Sequence, residues 1–377
     1  MRKYWPLALI ASFSVLYISS KVFQADDALD FQVIWIAGKL WLAGQNPYGH
    51  EFVIQYNAIF LPHHNVWVYP PYWSPITTVL SLLPFPSALI LWKTINVALL
   101  VAATHLTARA FTDGQRYWPV FLLGLSYACL MQSTAGALSI GQSSILVYFG
   151  LAAMVFGLLK NRHTFLILGL IVLALKPNFG LVAFAATASL PRYRWTIIPA
   201  GLVCVLGAVP ILISGHIVEQ MSGFLSNLAR YSVDFSANGP NNLTGIVHLL
   251  MLHNSIALTI VCAGLAAALF YSRPLNAHTV SLFVASMFFI LPLHAYDAVA
   301  VVIVMMELLA APVTTGGWLV AAGLLISLRP SHLSSVIGII SPSSNEISEN
   351  LLLSLGYLVI LAGALVCIIR PSKHASP

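Results

Sequence analysis

Charge is what this chain has least of. Asp, Glu, Lys and Arg supply 7% of its 377 residues, where a soluble protein carries about 25%. So thin a supply cannot cover a water-facing surface, and 59% of the residues are hydrophobic. Lipid must be the solvent for most of the chain, so the backbone must pair within itself. The alternating pattern of a membrane β-barrel is absent, while apolar runs near the length of a helical crossing recur. An all-α, polytopic transmembrane helical bundle is the expectation. Cysteine is scarce too: Cys129, Cys204, Cys262 and Cys367 all sit in apolar stretches, which excludes a secreted disulfide framework and offers no metal-ligand spacing. A basic stripe is also missing. The net charge of +6 comes from cations scattered singly or in pairs, which read as orientation signals and not as a nucleic-acid surface.

What is present is a ladder of apolar segments near 5–22, 86–110, 118–137, 143–159, 164–176, 178–190, 195–214, 255–272, 276–293, 297–312, 316–329 and 351–369. A shorter one covers 74–83, and Lys176-Pro177 hinges the pair 164–176 and 178–190. This gives about 11–13 membrane segments including half-spans, in one domain over 1–377. The basic start Met1-Arg-Lys resembles a signal peptide, but the apolar stretch after it is span-length and has no small-residue cleavage site before Lys21. It reads as a retained first helix.

With the amino terminus inside, alternation puts Arg109, Arg116, Lys160, Arg162, Arg192, Arg194 and Arg273 inside with both termini, leaving Lys21, Lys39, Arg230 and Arg329 outside. Asp26, Asp27, Asp30, Glu51, Glu219, Asp234, Asp297, Glu346 and Glu349 fall outside; Asp113 and Glu307 do not. The long segments 23–73, 215–254 and 330–350 are outer loops in this scheme, so the chemistry belongs there.

The first outer loop is the most informative. Asp30 precedes an amphipathic helix, with Phe31, Ile34, Trp35, Trp41 and Leu42 on one face and Gly44 as its stop, expected to lie on the membrane. An aspartate there reads first as an N-cap, and Asp26 or Asp27 could equally be the active acid. His63-His64 is a weak metal hint, since adjacent residues rarely bind one ion alone. The run Trp67 to Trp73, with Tyr69-Pro70-Pro71, is an interfacial belt or a rigid floor for a sugar. Gly141-Gln142 opens a span. Lys176 lies in an apolar hairpin and needs an anionic partner, a phosphate for instance, or a route to the surface. Lys93 has the same ambiguity. In Pro292-Leu-His294-Ala-Tyr296-Asp297, the aspartate could cap the next helix or orient His294.

In order, Asp30, Gly44 to Tyr48, Tyr69-Pro70-Pro71, Gly141-Gln142, Leu175-Lys176-Pro177 and Pro292…His294…Tyr296-Asp297 resemble glycosyltransferase family 87 of the GT-C superfamily, from about residue 26 to residue 300. Its best-known members are polyprenyl-phosphate-mannose-dependent mannosyltransferases. The resemblance implies a GT-C type bundle and an outer-loop aspartate as general base, which by position is Asp30. Lys176, His294 and Arg230 would then hold the donor phosphate, and Tyr69, Gln142, Tyr296 and Asp297 would contact sugar or acceptor. The implied reaction moves a hexose, mannose favoured, from a polyprenyl-phosphate sugar to a lipid or glycan acceptor. It inverts the anomeric centre at the extracytoplasmic face of a bacterial cell membrane and uses no metal or cofactor. His63-His64 and Asn238 to Thr244 depart from the pattern, which leaves the acceptor open. A secondary transporter would show intramembrane ionisable groups and broken helices too, but also internal repeats, and none is visible. A lipid-linked polysaccharide polymerase or ligase would lean on outer arginines, of which there are few.

Overall fold

The computed structural model describes residues 4–24, 28–60, 66–209, 217–237, 243–252, 255–311, 314–340 and 348–369. Among them the secondary structure is helical, with an isolated bridge between Thr244 and Leu293. The chain is an all-α polytopic bundle, as expected. In order, α1 is Trp5–Ser20, α2 Leu29–Leu42, α3 His50–Ile59, α4 Ser74–Ser81, α5 Phe85–Phe111, α6 Tyr117–Leu130, α7 Gln132–Ile140, α8 Ser144–Leu159, α9 His163–Ala174 and α10 Pro177–Ala188. There follow α11 Ile197–Gly207, α12 Ile217–Ala237, α13 Ile246–Leu250, α14 Ser255–Ser272, α15 Ala277–Ile290, α16 Val302–Ala310, α17 Thr315–Leu328, α18 Pro330–Ile340 and α19 Glu349–Ile369.

Three segments, Trp5–Phe23, α5 and α19, are long and apolar enough to cross a membrane alone; two bent pairs and six shorter apolar helices accompany them. Ile198 and Leu325 are more than 70% exposed. Side chains of that kind are at home against lipid and not against water.

Four expectations need correction. The segment 118–137 is not one span: α6 and α7 meet at 56° around an extended Met131. No proline forces this break. Arg329 Nε donates to the Leu130 carbonyl at 3.1 Å and Thr134 Oγ1 to the Ala128 carbonyl at 2.6 Å, so side chains satisfy carbonyls beside the bend. The segment 330–350 is not simply a loop, because α18 starts on Pro330 and turns 85° from α17. Proline suits a first helical position, where its missing N–H is not needed. Within 23–73 and 215–254, α3 and α12 are additional helices. Finally, α2 does not lie at a surface. Phe31, Ile34, Ile36, Ala37 and Leu40 are all fully buried, and α2 is locked to α4, with Ser81 Oγ donating to the Trp35 carbonyl at 2.6 Å.

The bundle has two distinct ends. α5, at 27 residues, separates them by about 40 Å. At its carboxyl end Lys160 pairs with Asp113 at 3.1 Å, Arg116 donates to the Ala310 carbonyl, and Tyr4 reaches the Gln115 carbonyl. At its amino end the fully buried Lys93 donates to the Lys21 and Gln24 carbonyls at 3.4 and 3.2 Å, and Trp92 Nε1 donates to the Gly141 carbonyl at 2.8 Å. The candidate site lies at this second end.

Candidate active site

Gly141 closes α7 with φ +71°, and a Cβ there would stand 2.5 Å from the Cβ of Phe31. A left-handed residue so close to α2 has to be glycine. This contact brings Gln142 alongside the start of α2. Its Oε1 accepts from the Ser143 N–H at 2.6 Å, the Ser143 hydroxyl at 2.9 Å and the Tyr69 hydroxyl at 3.0 Å. A backbone N–H can only donate, so that amide atom is the oxygen. Nε2 therefore faces Asp30, donating to Oδ2 at 2.9 Å.

Asp30 is not the N-cap. That position belongs to Ala28, in the left-handed region at φ 48°, and no side-chain cap bond forms. Asp30 sits one residue inside α2, in its first turn, where the helix dipole still favours a carboxylate. Burial pushes its pKa up to about 6; Asp297 acts in the same direction, while Lys176 and the Gln142 amide pull it down. The residue lies in the segment between α1 and α4, outside the spans, and part of its surface stays accessible.

The hinge lysine has a protein partner. Lys176 precedes α10 in an extended conformation and forms an ion pair with Asp297. Asp297, only 3% exposed, also accepts from the Ser144 hydroxyl at 2.6 Å and the His294 backbone N–H at 3.3 Å. It caps the turn at His294. Within the described residues the lysine's demand for an anion is thus met by Asp297, where the sequence had pointed to a phosphate or the surface. The His294 ring stacks on Tyr296 at 4.9 Å and 29°, and Lys176 Nζ stands 5.7 Å from the Tyr296 ring centre. Ammonium over an aromatic face is attractive.

These groups share a cavity of about 350 Å³. Its lining is mixed: Tyr69, Gln142, Lys176, Asn178, His294, Tyr296 and Asp297 are polar, and Leu181, Leu228, Ile256 and Ile260 are apolar. Asp30 lies directly behind Gln142. Arg230 is elsewhere: it is exposed on α12 and lines a different cavity with His50, Trp67 and Asn227. Asp26, Asp27, His63 and His64 lie outside the described residues, among which no three His, Cys, Asp or Glu side chains gather as a metal set.

Two contributors escaped the sequence reading. Ser144 holds Asp297, and Asn178 lines the cavity after turning its Oδ1 to the Phe179 N–H at 3.0 Å. A signal existed, since Gln142-Ser-Ser144 is a polar triplet in an otherwise apolar stretch.

A sequence model of glycosyltransferase family 87 matches residues 67–312, more than half of the chain and all of the cavity wall. The chain belongs to this family. It is a membrane glycosyltransferase. No curated protein matches it. Glycosyl transfer needs a group to take the acceptor proton and positive charge near the leaving group. The two aspartates at this cavity, Asp30 and Asp297, differ in their surroundings. Asp297 is held by a lysine, a hydroxyl and a backbone N–H, while Asp30 is buried against one amide and keeps its proton up to about pH 6.

Proposed function

We propose that this glycosyltransferase moves a hexose from a polyprenyl-phosphate sugar to a lipid or glycan acceptor, at the extracytoplasmic face, with inversion and without a metal. The observation that carries the reading is one cavity with a two-part lining, polar at Lys176 and the start of α10 and apolar at Leu181, Leu228, Ile256 and Ile260. A donor with a phosphate joined to an isoprenoid tail has the same two parts. Among the described residues Lys176 commits one of its three donors to Asp297, which leaves two for a donor phosphate. The amino end of α10 adds its dipole, and helix starts favour phosphate. Mannose is the favoured sugar by resemblance to the polyprenyl-phosphate-mannose-dependent members of the family.

In this mechanism the acceptor hydroxyl gives its proton to Asp30 as its oxygen attacks the anomeric carbon. The bond from that carbon to the phosphate oxygen breaks, and the electron pair leaves with polyprenyl phosphate. Lys176 and the helix start hold the growing negative charge. Gln142 occupies Oδ2 of Asp30, so the proton goes to Oδ1. Asp297 orients Lys176. Tyr69, Tyr296 and His294 flank the sugar, whose C–H faces suit aromatic rings. Attack opposite the leaving group inverts the centre. The distribution of cations, with Lys160 and Arg116 at the far end of α5, supports an inside location for that end and an outside one for the site.

The test is to incubate purified protein with radiolabelled polyprenyl-phosphate mannose and membrane lipid extract, and separately with a nucleotide sugar. Label should reach an acceptor from the first donor and not the second, and Asp30→Asn should abolish it. Transfer from the nucleotide sugar, or full activity of Asp30→Asn, would overturn the assignment.

A further inference from the structure

The proposed mechanism leaves one buried acid unused. Glu307 lies on α16, one turn before the Ala310 carbonyl that accepts from Arg116, at the end of the bundle opposite Asp30. It is 8% exposed, in a stretch of chain that is otherwise apolar, and a carboxylate so placed is costly without a counter-charge. Among the described residues its partner is His278 of α15, whose Nδ1 stands 2.7 Å from Oε1. That ring is a cation only while protonated. The contact is also not aligned as a hydrogen bond, since neither Nδ1 nor Oε1 has a hydrogen-bond partner.

Both residues line a cavity of about 30 Å³ where α15, α16, α17 and α19 meet. Ser281, 2% exposed, lines it too, and its hydroxyl has no partner either. Thr314, the N-cap of α17, accepts from the Gly317 N–H at 3.1 Å and touches Cys367 Sγ at 3.4 Å. α17 and α19 close one side backbone to backbone: a Cβ on Gly316 or Gly363 would stand 2.6 Å from the other's carbonyl oxygen. About two water-sized bodies fit such a space, and a sugar, a lipid headgroup or a guanidinium does not. His278 is half-exposed, so an ion reaches the cavity beside it.

Charge and donor type narrow the occupant. One buried carboxylate balances one positive charge, which favours a monovalent ion. Oxygens at Glu307, Ser281 and Thr314 suit a hard cation. The softer His278 and Cys367 form no three-residue metal set with Glu307.

We propose that this cavity binds an alkali cation of sodium's size, held by the Glu307 carboxylate and the Ser281 and Thr314 hydroxyl oxygens, with water in the remaining space. The ion supplies the charge that His278 supplies only when protonated, and it ties α15, α16 and α17 together. Its role is structural, far from Asp30, and independent of what is transferred there.

The test is thermal melting of full-length protein in phosphatidylcholine nanodiscs at about pH 8, where an ordinary imidazole is neutral. Sodium, potassium and choline chlorides are compared at equal ionic strength. Tm should climb with sodium concentration, as ligand linkage requires, climb less with potassium and stay level with choline. Glu307→Gln should abolish the difference between the salts. Ser281→Ala should raise the sodium concentration needed, and His278→Asn should keep the sodium response. Independently, radioactive sodium should bind the wild type saturably, displaced by unlabelled sodium and not by choline. Equal melting in all three salts, a potassium response as large as sodium's, or a sodium response that survives Glu307→Gln or is lost in His278→Asn would overturn the site. So would the absence of saturable sodium binding, however the variants fold.

Discussion

Gln142→Met is the sharpest probe of the candidate base. The native amide donates to Asp30 Oδ2 at 2.9 Å, with its direction imposed by the Ser143 N–H and the Tyr69 hydroxyl at its other end. Methionine keeps the length and removes both ends. A hydrogen bond to a charged acceptor contributes about 1.5–3 kcal/mol; at about 1.4 kcal/mol per pH unit, its loss lifts the Asp30 pKa by about one to two units from about 6. The base works only when ionised, so activity is lost as pH falls through that value. The acid limb of kcat/KM should therefore fall near pH 6 in the wild type and move to about pH 7–8 in the variant, with rates converging at alkaline pH. The assay is initial transfer from a polyprenyl-phosphate sugar over the whole range. A limb that stays near pH 6 while the rate falls equally at every pH would refute this, and would mean that Gln142 serves the substrate directly. The variant also strands the N–H of the buried Ser143, at about 1–3 kcal/mol, so a lower Tm accompanies the shift.

Other perturbations separate chemistry from folding. Asp30→Asn should cut transfer by about 10²–10⁴-fold without loss of stability: the raised pKa makes the carboxyl's contribution most favourable below its ordinary range and lost as pH rises through about 6. Its Tm at neutral pH should match or exceed that of the wild type, and a clear drop would count against the burial argument. Lys176→Met leaves Asp297, 3% exposed, without its cationic partner, a destabilisation of about 3–5 kcal/mol; adding Asp297→Asn should restore the melting temperature and not the activity. Gly141→Ala forces a left-handed φ of +71° and a 2.5 Å approach to Phe31, and should lower both Tm and transfer; a fully active variant would show that Gln142 is not held from this turn.

Much of the fold was legible because lipid simplifies the reading. Apolar length decides where spans run, and α5, α14 and α19 begin and end within a few residues of the apolar stretches 86–110, 255–272 and 351–369. The Lys176-Pro177 hinge was equally plain, since proline opens α10. The break at Met131 was not, because it depends on Arg329 and Thr134, partners that sequence proximity does not reveal. α12 was passed over as loop although Met221, Phe224, Leu225 and Leu228 recur at helical spacing; its polar residues hid a pattern that was there. The surface reading of α2 failed for a different reason. An apolar face explains one side of a helix, but here α3, α4 and the rings of Phe60 and Phe85 cover the rest.

The site poses a harder problem, because Asp30 and Asp297 look alike in sequence. Each sits near a helix start beside residues that could be polar partners, and each could be read as a cap. What divides them is the number of donors, which no spacing rule supplies. Asp297 gathers Lys176, Ser144 and the His294 N–H from three separate segments, and a carboxylate so engaged has little left to offer a proton. Asp30 receives the amide of Gln142 in surroundings that penalise its charge. The same burial that raises its pKa makes it a stronger base once ionised, and in the proposed mechanism the Gln142 hydrogen bond selects which oxygen acts. In the proposed mechanism two carboxylates of equal chemistry thus take opposite parts, one holding a cation in place and the other accepting a proton. An acceptor hydroxyl that approached Oδ2 would have to displace an amide held by Ser143 and Tyr69, whereas Oδ1 has no such tether among the described residues.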